Sequence, residues 1–127
     1  MASEKKYDIT VTARSTYVAD QSDPDNNRYA FAYTITIKNT GTIAAQLVSR
    51  HWMITDANHQ VQEVRGLGVV GKQPLIPPDQ QFEYTSGTTI ATPVGTMHGS
   101  YQMMAVDSVR FDAPIPEFVL SAPRVLH

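Results

Sequence analysis

The segment Tyr29–Lys38, YAFAYTITIK, alternates without a break. Tyr29, Phe31, Tyr33, Ile35 and Ile37 fall on one side, and Ala30, Ala32, Thr34, Thr36 and Lys38 on the other. A period of two belongs to an extended strand, because a helix would spread the same residues around its circumference. Aromatic and β-branched side chains suit a pleated surface buried on one face. Spaced this way they read as core rather than as a stacking platform for a ligand. The small side chains opposite leave a flat outer face, open to another surface or to packing beneath a loop.

The same period recurs along the chain. Tyr7, Ile9, Val11 and Ala13 alternate with Asp8, Thr10, Thr12 and Arg14. The polar cluster Asp20–Asn27, DQSDPDNN, separates this strand from the next, and Asn39-Thr40-Gly41 ends the second with turn chemistry. Residues 44–55, AAQLVSRHWMIT, read as a third strand carrying Trp52, the sole tryptophan. A turn at Asp56–His59 returns the chain as QVQEVRG, in a simple register that sets His51 opposite Val64. Further strands are expected in QFEYTSG, SYQMMAVDSVRF and IPEFVLSAP. Seven prolines after residue 70 forbid any long helix there. The expected fold is therefore all-β, in one domain spanning residues 1–127. It is an immunoglobulin or fibronectin type III-like sandwich of about seven or more antiparallel strands, with an eight-stranded barrel as the alternative closure. Trp52, Phe31, Ile35 and Tyr33 are expected inside.

Composition removes several function classes. The formal charge is −2 and no basic stripe occurs beyond Lys5-Lys6, which argues against nucleic acid as partner. There is no cysteine, hence no disulfide or thiolate metal site, and packing alone must hold the core, as suits a cytoplasmic protein. The start, MASEKKYDIT, has no apolar signal core, and no stretch has the length of a membrane span.

Residues 66–71, GLGVVG, spell G-x-G-x-x-G. That pattern holds a dinucleotide only where a helix follows, since the helix N-terminus carries the pyrophosphate. Here Lys72, Gln73, Pro74 and then Pro77-Pro78 follow, so dinucleotide binding is excluded. Two readings stay open. The glycines shape a crossing loop, or the backbone N–H groups of Gly66, Gly68 and Gly71, with Lys72 or Arg65 nearby, form an anion nest for pyrophosphate.

Catalysis finds little support. Ser86 in YTSGT lacks a nucleophile elbow, and a Ser86–His98 dyad would need the two to meet in space. The carboxylates are scattered singly, so no acid–base pair can be nominated. His51, His59, His98 and Asp56 are the candidate metal ligands, yet no spacing brings three of them together. No cofactor, metal or enzymatic activity is expected.

One block carries a resemblance. Gly66, Gly68, Val69, Val70, Gly71 and Pro74, then Phe82, Tyr84, Ser86 and Gly87, then Thr92-Pro93, Gly95, Met97, Gly99, Tyr101 and Met103 resemble the pattern of the ApaG family. FDAPIPEFVLSAP resembles its closing strand. The family commonly has Gly where this chain has Asp79, a residue that tolerates the same left-handed turn. The resemblance implies a fibronectin type III-like sandwich without enzymatic activity. It also implies an association with cobalt resistance and magnesium efflux, gene neighbourhood with a diadenosine tetraphosphate hydrolase, and, from eukaryotic versions, a protein-binding role. On that reading two Gly/Pro-rich loops, Gly66–Pro74 and Thr92–Gly99, supply the contact surface. Leu67, Val69, Val70 and Met97 would form an apolar patch rimmed by Arg65, Lys72 and His98, for a protein partner or a second copy of the chain. Alternatively, these side chains fold back and close the open edge of the sandwich.

Overall fold

The computed structural model describes residues 5–123, so the first and last four residues of the expected domain lie outside it. Eight strands follow one another: β1 (Ile9–Tyr17), β2 (Tyr29–Asn39), β3 (Ala45–Asp56), β4 (Val61–Leu67), β5 (Leu75–Ile76), β6 (Gln81–Ile90), β7 (Val94–Ala105) and β8 (Arg110–Ser121). Among the described residues the helical elements are two single 3-10 turns, Ala19–Gln21 and Pro24–Asn26, within the polar cluster. The strands form two antiparallel sheets, β1-β2-β6 and β4-β3-β7-β8, with the short β5 added to β3. This is the expected fibronectin type III-like sandwich.

The core lies between the sheets and follows the period of two. Phe31, Tyr33, Ile35 and Ile37 of β2 are buried against Trp52 and Ile54 of β3, Met97 and Tyr101 of β7, and Ile115 and Leu120 of β8. Trp52 sits at the centre of an aromatic cluster, its ring edge-on to Tyr33, Tyr101 and Phe118. On the other face of β2, Ala30 is buried, and its N–H donates to Ser22 Oγ beside the first 3-10 turn.

Three sequence expectations are corrected. SYQMMAVDSVRF is not one strand. The chain reverses after Ala105, with Ser108 N–H donating to the Ala105 carbonyl and Ser108 at φ 71°. Of IPEFVLSAP, Ile115–Ser121 is then the later part of β8, and Ala122-Pro123 follow it. Thr92–Gly99 is not a loop either, because β7 starts at Val94. In the β3–β4 hairpin Asp56 pairs with Gln60, leaving three loop residues with His59 at φ 62°. The extra loop residue slides the register by one, so Trp52 faces Val64 and His51 faces Arg65.

The two sides of the sandwich differ. On one, the edge strands β1 and β8 meet: Ser15 Oγ donates to the Val119 carbonyl, and the Tyr7 ring packs on Phe111 while its hydroxyl donates to Asp107. On the other, the edges β4 and β6 do not pair.

Candidate functional site

The unpaired side holds a cleft of about 480 Å³. Its floor is Phe31, Tyr33 and Trp52, and its walls are Gln62 and Val64 of β4 and Ser86–Thr89 of β6. The cleft follows from side-chain size. On β6 the core-facing alternation runs Phe82, Tyr84, Ser86, Thr88, Ile90, so two small hydroxyl residues stand where large apolar ones would fill the gap. Across from them β4 offers Gln62, Val64 and Gly66. Ser86 and Thr88 on one edge and Gly66 on the other leave the space between the sheets unfilled.

Arg50 occupies the space that Gly66 leaves. A Cβ at residue 66 would stand 2.8 Å from the guanidinium. Nη1 donates to the carbonyls of Leu67 at 3.0 Å and Gly68 at 2.9 Å, which fixes the side chain along the end of β4. A guanidinium has five donors, so the hydrogens on Nε and Nη2 remain. No carboxylate pairs with Arg50 among the described residues, whose ion pairs are Lys6–Asp107, His51–Glu63 and Arg65–Glu63. Among the described residues Arg50 is also the one charged residue lining the cleft. A second polar group is unmatched: Trp52 Nε1 is buried and has no acceptor, alone in this among the described residues. A buried donor left without a partner costs about 1–3 kcal/mol, so each such case asks for an explanation.

Below Arg50 the hydroxyls of Tyr84 and Tyr101 hydrogen-bond to each other across the two sheets. Burial pushes both phenols well above the ordinary tyrosine range, and the Arg50 charge opposes this only in part. Their contact links one sheet to the other.

The residues singled out from the sequence are dispersed. Val69 and Met97 are 1% and 0% exposed and belong to the core, so the apolar patch of Leu67, Val69, Val70 and Met97 does not form. The folded-back alternative holds for these two, while Leu67 and Val70 point to solvent. The nest does not assemble either. Val69 and Lys72 exchange both backbone hydrogen bonds, and Gly68 N–H donates to Val48. Gly66 belongs to β4, and Gly71 sits at φ 77° in the turn tip. Lys72 is exposed there. His98 is exposed on the outer side of β7, whereas Ser86 lines the cleft, so the two form no dyad. His51 pairs instead with Glu63, Nε2 to Oε2 at 2.6 Å. That bond, with Arg65 beside it, holds the Glu63 carboxyl below the usual carboxylate range. Among the described residues no three His, Asp or Glu converge as a metal site.

The sequence reading missed Arg50. The signal was an Arg two residues before Trp52, on the face that must point inward, but a bulge between Leu47 and Ser49 hides that parity. With Leu47 and Trp52 both buried at an odd spacing, one extra residue has to be inserted between them.

A family model described as the ApaG domain matches residues 19–105. The chain belongs to the ApaG family. It is 64% identical over 127 residues, all of both chains, to Protein ApaG of Nitrosospira multiformis and likewise to that of Thiobacillus denitrificans. A crystal structure described as an ApaA protein from Bordetella pertussis superposes with a TM-score of 0.92 at 53% identity, covering 97% of this chain and 100% of that one. The ApaG match contains the whole cleft, whose lining runs from Gln21 to Thr89. It leaves β1 and β8 outside, yet Ile9, Val11, Ala113, Ile115 and Leu120 from those strands complete the same core. At the position where the ApaG pattern has Gly, Asp79 adopts φ 67°, the left-handed turn expected of it.

Proposed function

We propose that this ApaG domain is a non-catalytic protein-binding module of the cytoplasm that meets its partner along the open β4/β6 side. The supporting observation is the cleft, floored by Trp52 and lined by an arginine that pairs with no carboxylate among the described residues. A partly buried charge without a counter-charge costs stability, and a bound partner that supplies one returns that cost on association. The Gly/Pro-rich segments contribute less than their composition promised, since Val69 and Met97 are core and only Leu67, Val70 and Lys72 project from the turn. The family association with cobalt resistance and magnesium efflux then works through a partner rather than a bound ion.

Capture from cell extract by the immobilised chain tests this. Thr88→Trp fills the cleft, whereas Leu67→Asp with Val70→Asp alters only the exposed turn. The first is expected to lose the captured partner and the second to keep it. The reverse outcome, with both variants folded, would return the contact surface to the turn.

A further inference from the structure

We propose that the cleft takes an extended peptide segment bearing a carboxylate, which Arg50 receives while the segment's backbone adds to the free edge of β6. This rests on the open side being the binding surface and goes on to name the chemistry of what binds.

Three features converge on a carboxylate. Arg50 is permanently charged, and its fork of Nε and Nη2 hydrogens matches the two oxygens of a carboxylate bidentately. Nη1 is anchored to the Leu67 and Gly68 carbonyls, so the fork is oriented before anything binds, which lowers the entropy cost of binding. The other lining residues among those described carry no charge, so the cleft is locally positive in a chain whose formal charge is −2. Glu83, the acidic residue on β6, lies outside the lining and accepts from Thr36 Oγ1 instead.

An extended backbone is indicated by the strand beside it. β6 is a ten-residue edge strand with no proline, no lysine and no bulge. These are the devices by which exposed edges avoid pairing, and their lack leaves alternate N–H and C=O groups free for a further strand. Along Thr85–Thr89 the side chains are Thr, Ser, Gly, Thr and Thr, so nothing bulky blocks approach. In a strand paired to β6, alternate side chains point toward the sandwich interior. An acidic one placed there enters the cleft over Phe31 and Trp52 and reaches Arg50.

The test uses the full chain and two N-acetylated, C-amidated peptides, TVTETVT and TVTQTVT, which differ only in the central charge. In an ¹H–¹⁵N NMR titration the single tryptophan gives one indole resonance, and the Arg50 Nε–Hε group can be followed beside it. Expected are shifts of both side-chain signals and of the Thr85–Thr89 amides with the Glu peptide, and affinity roughly tenfold weaker for the Gln peptide, the usual gap between a charged and a neutral acceptor. Arg50→Lys keeps the charge but removes the fork, and is expected to weaken the Glu peptide toward the Gln level. Equal binding of both peptides at the cleft would overturn the carboxylate assignment and leave the docking surface standing. Shifts confined to other regions, or no binding of either peptide at millimolar concentration, would overturn both. Pyrophosphate that moved the indole signal more tightly than the Glu peptide would replace the peptide by a free anion.

Discussion

At the scale of single residues, Val70 stands out as a β-branched side chain at φ 44°, followed by Gly71 at φ 77°. With Val69 and Lys72 bonded to each other on either side, this is a two-residue type I′ turn. The left-handed conformation costs an L-residue roughly 1–2 kcal/mol, and more for one branched at Cβ. Val70 is half exposed, so little burial offsets that cost. Val70→Asn creates Asn-Gly, the pair this turn prefers, and is expected to raise unfolding stability by about 1 kcal/mol. Equilibrium urea denaturation reads it. A variant no more stable than the parent would mean that the Val70 side chain makes contacts worth as much as the strain.

At the scale of elements, Asn39 shows how strands are tied to loops. The sequence presented it as a turn residue ending β2, but it is 1% exposed. Its amide donates to the carbonyls of Ile43 and Ile76, both at 2.8 Å, and its Oδ1 accepts from Gly41 N–H. One side chain thus holds the end of β2, the 41–43 loop and β5. Asn39→Ala leaves buried backbone groups unpaired and is expected to cost about 3 kcal/mol. The check is a fall in urea midpoint with an unchanged denaturant slope, and a loss below ~1 kcal/mol would show that water replaces the amide. Legibility divides along the same line. Where one face is apolar and the other polar, as in β2, period and burial agree and the strand could be read directly. Gly95 and Gly99 misled because they look like loop residues. In β7 they let strands approach, and a Cβ on Gly99 would collide with the His51 carbonyl. The 106–109 reversal was hidden because Met103–Val106 is an unbroken apolar run and no glycine or proline marks the turn at Asp107-Ser108. The cleft was written as gaps in alternation at Ser86, Thr88 and Gly66, which gain meaning only once β4 and β6 are known to face each other.

At the scale of the whole molecule, the sandwich is held by apolar packing, and a polar tie runs through its middle. Tyr84 comes from one sheet and Tyr101 from the other, and their hydroxyls meet. Burial raises both phenols above the ordinary value of 10.0, and the shift sets the direction of the pH dependence. Below pH 10 both the folded and unfolded chains keep these protons. As pH rises above that value the unfolded chain releases them while the fold retains them, so stability falls, by roughly 1.4 kcal/mol per pH unit for each phenol at the steepest. Lys6 and Tyr7, also raised through their bonds to Asp107, work in the same direction, but they are exposed and screened by solvent. Tyr84→Phe combined with Tyr101→Phe removes donor and acceptor together, a change expected to be nearly neutral at pH 7 because no buried group is orphaned. Either single substitution orphans the partner hydroxyl and is expected to cost about 1–3 kcal/mol at neutral pH. Denaturant midpoints measured from pH 7 to pH 11 are therefore expected to drop steeply above pH 10 in the parent chain and to flatten in the double variant. A double variant with the same alkaline slope as the parent would show that the loss comes from groups on the surface, and that the tie between the sheets is not what titrates.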